Sequence, residues 1–499
     1  MNQRRFGRFA AIIIAGASMR LAFAPMGWWP LAFLAPAVLF FLLRQRTPRQ
    51  VLFDAWCFGF AMFGVGTPWV YTSIHEFGQV WAPAAVLVTV MFAALLGLLT
   101  AWPLALLRRL MPVGQAWLML VPFAWVFGEW VRSWLLSGFP WLSLGYSQTD
   151  TWLIALAPLG GVFLISLLVA MCAAALAYAC CSRGRGAFGF GGAVAGALLA
   201  LLLAGHSLPD PEPTGRWQVA VVQGNFGQDI KFDPDWLMPQ IRYFVETTRE
   251  IEQVDLIVWP ETVLPRLYHQ LYEPVYQPLA ARMAGRDTAL LAGVLEQGET
   301  NAKIYNAVVG LGQAEGIYRK RKLVPLGEYF PFRPLLKLLP GLQIPFSDMS
   351  PGEPKQPLLR VKQVPVGVSI CYEDAFGPLL LSEVPEAQVL VNVSNDAWFG
   401  RRAPWQHLQM ARLRAAEVQR AMVRSTTTGV SALIGPRGEL LALAEPFQQL
   451  VLRGEVPLLQ GRTPYMRWAD WPVVVVCLIM WLSAGVFWNR GRVKKGGRP

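Results

Sequence analysis

An apolar run of about 18 residues or more can cross a bilayer as a helix, and eight such stretches divide this chain of 499 residues. They fall at roughly 8–25, 28–43, 51–72, 82–107, 116–136, 152–181, 187–206 and 471–489. The second is short and carries proline; the fourth and sixth are long enough to tilt. Seven precede a polar block, Leu208 to Asp470, and one follows it. The expected organisation is a membrane bundle over 1–207, a folded polar domain over 208–470, and a last membrane helix with a basic tail over 471–499.

Basic residues set the orientation, because Lys and Arg concentrate in the short cytoplasmic loops of membrane proteins. Here they group at Arg4, Arg5 and Arg8, at Arg44, Arg46 and Arg49, at Arg108 and Arg109, at Arg183 and Arg185, and from Arg490 to Arg498. The intervening connections near 25–28, 73–81 and 137–151 hold no Lys or Arg. Both termini are therefore expected in the cytoplasm, and an odd number of helices delivers the polar domain to the outer face. Ala22-Phe-Ala24 resembles a signal-peptide cleavage site, but Pro25 argues against cleavage, so the first segment is read as an anchor.

A net charge of +12 would suit a nucleic-acid partner, yet its distribution excludes one. Residues 208–470 hold 27 Lys and Arg against 28 Asp and Glu, so the basicity belongs to the membrane loops. Within the polar block, short β-branched runs at Gln218–Gln223, Asp255–Trp259, Ala289–Leu295, Asn306–Leu311, Val366–Ile370, Val389–Val393, Val430–Ile434 and Leu450–Val456 read as strands. Helical spacing marks Gln240–Gln253 and Pro404–Arg424. Strands alternating with helices make a layered α/β domain.

Cys371 is the sole cysteine of that block and closes the run Val366-Gly-Val-Ser-Ile-Cys371-Tyr372-Glu373-Asp374. It has no disulfide partner in its own domain. A lone thiol at a strand end is a candidate nucleophile, although a buried, inert cysteine is the commoner state. A thiol of ordinary pKa needs a base or a neighbouring cation to react. Two other strand ends offer these: Asp255-Leu-Ile-Val-Trp-Pro260-Glu261, and Tyr318-Arg-Lys320-Arg-Lys322-Leu-Val-Pro325-Leu-Gly327-Glu328-Tyr329. A carboxylate can take the thiol proton, and an ammonium can stabilise thiolate and oxyanion.

Glu261 after Trp-Pro, Lys320 in Tyr-x-Lys-x-x-Leu and Cys371 before Tyr-Glu, in that order, resemble the nitrilase/amidase superfamily over most of 216–460. The resemblance implies a Glu-Lys-Cys triad on an αββα sandwich and points to Lys320 rather than Lys322, although Lys322 stands where many relatives carry His. Together with the membrane segments it narrows to the apolipoprotein N-acyltransferase family of the bacterial inner membrane. Phe139-Pro-Trp141-Leu-Ser-Leu-Gly-Tyr146, Leu323-Val-Pro-Leu-Gly-Glu328-Tyr329, Ser394-Asn-Asp-Ala-Trp398-Phe-Gly400 and Pro404-Trp-Gln-His407 are similar to that family's signatures, with Leu326 where Phe is common.

What this implies is acyl transfer by a single chain in two half-reactions, with the catalytic domain periplasmic. A phospholipid, typically phosphatidylethanolamine, acylates Cys371, and the α-amine of a lipoprotein's diacylglyceryl-cysteine takes the acyl chain as an amide. Glu261 is then the base, Lys320 the oxyanion stabiliser and the Tyr372 N–H a second donor. Glu328 orients the site or gates a lid, with Glu373, Trp398, Trp141 and Tyr146 as supporting or substrate-binding residues.

Glu129 and Arg132, three apart in the fifth apolar stretch, invite a headgroup role or mutual pairing. Trp398, Trp405, Trp468 and Trp471 are candidates for a lipid entrance, the last two also for an interfacial belt. His407 reads as structural. Four histidines in no ligand spacing and no Gly-rich phosphate loop give no metal and no nucleotide cofactor to expect. The competing readings are a membrane-tethered amidase or nitrilase acting on an envelope metabolite, and a transporter or receptor with an inert sensing domain. Eight apolar stretches exceed an anchor's need, and the three triad residues together disfavour the second.

Overall fold

The computed structural model describes residues 3–111, 114–182, 185–298, 303–325, 327–329 and 348–495. Leu326 of the Leu323–Tyr329 motif and Arg183 of the basic groups lie outside them. The chain forms two compact units, one of residues 1–68, 86–208 and 467–499, the other of Trp69–Ala85 and Pro209–Met466.

The first unit is helical, and each expected apolar stretch overlaps a helix: Gln3–Ser18, Leu31–Leu43, Pro48–Gly66, Ala82–Leu110, Ala116–Trp134, Ala157–Ala179, Arg185–His206 and Trp471–Lys495. Among the described residues three stretches are long and apolar enough to cross a membrane by themselves, Ala82–Leu110, Trp152–Ala179 and Gly186–His206. The third expected stretch, 51–72, is not one helix. Pro68 disfavours the helical conformation at the residue before it, and Thr67 leaves it, with φ −128° and ψ 44°. The helix stops at Gly66, and two short helical turns follow, Trp69–Thr72 and Ser73–Phe77. Without lipid-phase hydrophobicity to drive association, small residues let membrane helices approach closely. A Cβ on Gly59 would lie 2.8 Å from Gly97 Cα, so glycine is required where Pro48–Gly66 crosses Ala82–Leu110.

Glu129 and Arg132 are both buried and held by the protein itself. Glu129 Oε1 accepts from Trp125 Nε1 and from the Leu144 N–H, each at 2.9 Å. Arg132 donates to the carbonyls of Phe139 (2.5 Å) and Trp141 (2.6 Å) and to Ser143 Oγ (3.1 Å), with its guanidinium over the Phe63 ring. The two charges thus tie the helix Ala116–Trp134 to the Phe139–Tyr146 motif, whose Trp141 and Tyr146 are buried.

Among the described residues the second unit carries thirteen strands: β1 (Glu212–Gln223), β2 (Leu256–Val258), β3 (Ala289–Gln297), β4 (Ile304–Gly312), β5 (Ala314–Glu315), β6 (Ile317–Arg319), β7 (Leu359–Val361), β8 (Val364–Ile370), β9 (Val389–Ser394), β10 (Met422–Thr426), β11 (Ala432–Ile434), β12 (Leu440–Leu443) and β13 (Leu450–Gln460). They form two mixed sheets, β13-β1-β2-β3-β4-β6 and β12-β11-β10-β9-β8-β7-β5. The centre of each is parallel, β1-β2-β3 in one and β8-β9-β10 in the other, with antiparallel strands outside. β2, β9 and β10, most of β3 and β8 and the C-terminal half of β1 are buried on both faces, as parallel strands between layers are. Polar links join the two sheets, Ser431 Oγ donating to Gln223 Oε1 at 2.7 Å.

Helices cover the sandwich. Phe244 of the helix Pro234–Glu250 and Leu279 and Met283 of Gln277–Gly285 pack with Ile257, Trp259 and Leu290 on one side. Leu408, Ala411 and Ala415 of Ala403–Val418 pack with Leu390, Met422 and Ile434 on the other. That helix corrects the expected Pro404–Arg424: it ends at Val418, Gln419 takes a left-handed conformation at φ 49°, and Arg424 lies on β10. The segment Trp69–Ala85, distant in sequence, belongs to this unit. Ser73 Oγ donates to the Trp398 carbonyl at 2.7 Å, and the rings of Trp69 and Phe77 meet Phe399 and Trp398 edge-on.

Candidate active site

Ligand sites in α/β sheets lie beyond the carboxyl ends of parallel strands, and here both sheets converge there. β2 delivers Glu261, β6 delivers Lys320, β8 delivers Cys371 and β9 delivers Asn395. The turn after β2 needs a glycine opposite it: a Cβ on Gly293 of β3 would lie 2.2 Å from the Pro260 carbonyl oxygen. Cys371 follows β8 with φ 55°, a left-handed conformation that a side-chain-bearing residue adopts only when its surroundings enforce it.

Lys320 Nζ donates to Glu261 Oε1 at 3.1 Å and to Glu328 Oε1 at 2.8 Å, and the lysine is 1% exposed. Asn306 on β4 donates through Nδ2 to the same two oxygens, at 2.6 Å and 3.0 Å. The other oxygen of Glu261 accepts the Asn395 N–H at 2.7 Å, and the other oxygen of Glu328 accepts the Val324 N–H at 2.8 Å. Lys322 lies elsewhere, with Nζ 4.1 Å from the centre of the Phe376 ring.

These contacts determine the protonation state. Burial would raise the Glu261 carboxyl, but Lys320, Asn306 and Lys231 together hold it below the usual carboxylate value. Burial opposes the charge on Lys320, yet Glu261, Glu328 and Cys371 hold its ammonium well above the usual lysine value. Burial and the Glu261 charge push the Cys371 thiol well above its usual value, against the pull of Lys320. At rest the site therefore pairs a neutral thiol with an ionised carboxylate, the state in which a general base can take a proton as sulfur attacks.

The supporting residues divide by what they touch. Glu373 is fully buried: Oε1 accepts the N–H groups of Arg321 (2.8 Å) and Lys322 (2.9 Å), and Oε2 accepts the Ile370 N–H (2.8 Å) and the Tyr318 hydroxyl (3.0 Å). It staples the Cys371 strand to the Lys320 loop. The Tyr372 hydroxyl donates to the Leu323 carbonyl at 2.6 Å. Trp398 is half-buried against Phe77, whereas Trp405 packs into the core under its own helix. Trp468 and Trp471, in the helical unit, are 54% and 60% exposed.

Beneath Cys371 lies a buried charged cluster. Asn392 Nδ2 donates to the Cys371 carbonyl at 3.1 Å, and Arg424 Nη1 donates to Asn392 Oδ1 (2.6 Å) and Asp374 Oδ2 (3.0 Å). Arg424 Nη2 reaches Asp396 Oδ2 at 3.1 Å, while His407 bridges Asp374 (2.6 Å) and Asp396 (3.1 Å). Burial and Arg424 oppose a charge on His407, but the two aspartates outweigh them and raise it above the usual imidazole value. His407 is thus a structural member of the cluster.

Sequence reasoning missed Asn306 and Lys231. An asparagine inside the apolar run of β4 was a signal, because a polar residue in a buried strand needs a partner. Lys231 follows Gln228-Asp-Ile in a short helical turn and carries no such mark. Its side chain is buried, with Nζ 2.7 Å from Thr262 Oγ1 and 3.5 Å from the Glu261 carbonyl oxygen.

Two family models match the chain: an apolipoprotein N-acyltransferase N-terminal domain over residues 15–175 and a carbon-nitrogen hydrolase over 218–462. A curated apolipoprotein N-acyltransferase of Pseudomonas putida is 39% identical over 483 residues, covering 94% of each chain. The chain belongs to the apolipoprotein N-acyltransferase family. Relatives of the same name from Azotobacter vinelandii (40% identical, 94% of this chain and 93% of that one) and Coxiella burnetii (38%, 94% and 98%) agree. The hydrolase match spans every strand from β2 to β13 and the three candidate triad residues, while the N-terminal match carries Glu129, Arg132, Trp141 and Tyr146. Membership in this family accounts for apolar helices and a nitrilase-like sandwich in one chain.

Proposed function

We propose that this protein transfers an acyl chain from a phospholipid to the α-amine of an apolipoprotein's diacylglyceryl-cysteine, through a thioester on Cys371. In the first half-reaction Sγ attacks the ester carbonyl while Glu261 takes the thiol proton. Lys320 and the Tyr372 N–H hold the oxyanion. Collapse expels the glyceryl oxygen, which receives the proton from Glu261, leaving a lysophospholipid and an acyl-enzyme. In the second, the amine attacks the thioester, Glu261 accepts its proton and returns it to sulfur, and the amide departs.

The observation that carries this reading is the meeting of Glu261 and Lys320 at 3.1 Å beside a neutral, buried Cys371, in a chain matching N-acyltransferases over 94% of its length. Phosphatidylethanolamine is the proposed donor, and one chain suffices as the catalytic unit. Of the expected apolar stretches all eight are proposed to cross the inner membrane, with the sandwich periplasmic and both termini cytoplasmic. Both substrates are lipids, each buried methylene contributing about 0.8 kcal/mol, so a soluble enzyme would have to extract them. A membrane-borne site avoids that cost and keeps the thioester from water.

The test is the intermediate. Protein incubated with phosphatidylethanolamine and no acceptor accumulates an acyl group on Cys371, read by intact mass and peptide mapping. Neutral hydroxylamine releases it, and an acceptor with a free diacylglyceryl-cysteine amine discharges it, whereas an amine-blocked acceptor does not. Normal transfer without any adduct would mean direct transfer between the two lipids and defeat the two-step mechanism.

A further inference from the structure

Two carboxylates, Glu261 and Glu328, face one ammonium at the candidate site, since both Oε1 atoms hydrogen-bond Lys320 Nζ. In a buried site one ammonium does not keep two carboxylates ionised, and like charges sharing a site force one proton back on. The second cation acting on Glu261 is Lys231, contributed by the turn Gln228–Lys231. That turn is held from two sides, once through its backbone and once through a side chain. Gln240 of the helix Pro234–Glu250 donates to the Lys231 carbonyl at 3.2 Å, and Asn395 Nδ2, after β9, donates to Gln228 Oε1 at 3.0 Å.

The side chain of Lys231 is 2% exposed, and its ammonium is directed at neutral oxygens, Thr262 Oγ1 and the Glu261 carbonyl. Thr262 itself takes a left-handed conformation at φ 43°, so the turn that aims Glu261 is one that an outside contact must hold. The charged and titratable groups that act on Lys231 are Glu261, on the turn after β2, and Cys371, after β8. Burial lowers its ammonium to about 8, with those two groups opposing the shift, so near neutrality it is charged.

We propose that Lys231 is a positioning residue of acyl transfer, holding the Glu261 turn through Thr262 and supplying the second positive charge that keeps the Glu261 carboxylate ionised beside Glu328. The inference rests on Glu261 being the base. It accounts for a lysine buried where an apolar residue would pack at less cost: two ammonium groups, Lys231 and Lys320, stand against the two carboxyl groups of Glu261 and Glu328 while the thiol is neutral. Proton transfer from Cys371 to Glu261 then only moves the negative charge from oxygen to sulfur, and no water is needed to screen it.

The experiment is the pH dependence of single-turnover acylation of Cys371 by phosphatidylethanolamine in the full-length protein. The base acts only when ionised, so the rate falls on the acid side as Glu261 protonates. Lys231→Gln keeps a donor for Thr262 without the charge, and Lys231→Met removes both. In each, the loss of a nearby cation raises the Glu261 carboxyl and moves the acid limb up by about one pH unit. On that limb the rate falls about tenfold, recovering at higher pH. Lys231→Arg keeps the limb at its wild-type position even where its plateau is lower.

A limb unmoved in Lys231→Gln, with only the plateau reduced, would make Lys231 a packing residue and overturn the proposal; Lys231→Gln supplies the readout if Lys231→Met does not fold. Glu261→Gln separates the two layers of inference. An active Glu261→Gln removes the base itself, whereas an inactive one with an unmoved limb in Lys231→Gln removes only the role of Lys231.

Discussion

Glu373 offers the sharpest separation between holding a site and touching a substrate. It follows Cys371 by two residues, which invites a role in binding, yet it is fully buried and its two oxygens accept four donors. In Glu373→Gln the amide oxygen can still accept from the Arg321 and Lys322 N–H groups. The amide nitrogen then faces the Tyr318 hydroxyl, which can turn to accept, and the Ile370 N–H, which cannot. One backbone donor is orphaned, at about 2 kcal/mol. For a unit of this size that lowers the melting temperature by roughly 4–8 °C. Glu373→Ala orphans the N–H groups of Ile370, Arg321 and Lys322 together, a loss of about 4 kcal/mol or more. Thermal unfolding of the purified protein in detergent, followed beside the rate of Cys371 acylation, measures both effects. Activity and melting temperature should fall in the same order, wild type, Gln, Ala, because the staple positions Cys371 and Lys320 at once. A Glu373→Ala protein with wild-type melting temperature and no activity would refute the staple and place the carboxylate against substrate.

Two other outcomes follow from the same geometry. Lys320→Arg puts a planar fork where a point donor reaches two carboxylates in a 1% exposed site, and should slow adduct formation about a hundredfold or more. Lys322→Ala loses a cation–π contact with Phe376, worth about 0.5–1 kcal/mol, and should stay active; the reverse pattern would move the triad lysine to Lys322. Reporter fusions after residues 78, 145 and 300 should read as outside and those after 47, 112, 184 and 495 as cytoplasmic, a cytoplasmic signal at 300 removing access to the acceptor amine.

The sequence was most legible where burial is most complete. The second half of β1 and the strands β3, β8 and β9 are mostly apolar because helices and a second sheet cover both faces. The short strands β5, β6, β7 and β12, two to four residues each, give no alternation to read. In sequence β10 continues the helical spacing before it because no glycine or proline marks the stop; Gln419, in a left-handed conformation, ends the helix instead. Glu261, Lys320 and Cys371 were visible as motifs at strand ends. Asn306 and Lys231 act only through neighbours that tertiary structure brings to them, 45 and 30 residues from Glu261. Local pattern cannot encode such a meeting. The break at Pro68, by contrast, was written in the sequence, and hydropathy alone overran it.

The cluster under Cys371 explains why so many charges are buried away from the reacting atoms. Removing Arg424, Asp374 and Asp396 from water is costly, and an apolar replacement of a buried ion pair is often as stable. Such a cluster persists when it fixes a conformation that packing alone would not. Cys371 sits at φ 55° and would relax unless its carbonyl were held. Asn392 holds it, Arg424 holds Asn392, and Asp374, three residues beyond the cysteine, holds Arg424, closing a ring around the strained residue. Asp396 and His407 extend that ring to the loop whose Asn395 N–H binds Glu261. Cys371 and Glu261, the proposed nucleophile and base, are thereby referred to one rigid polar body instead of to two independent strand ends. The proposed thioester, which must wait for an amine, would depend on that rigidity, since a base free to swing would also activate water.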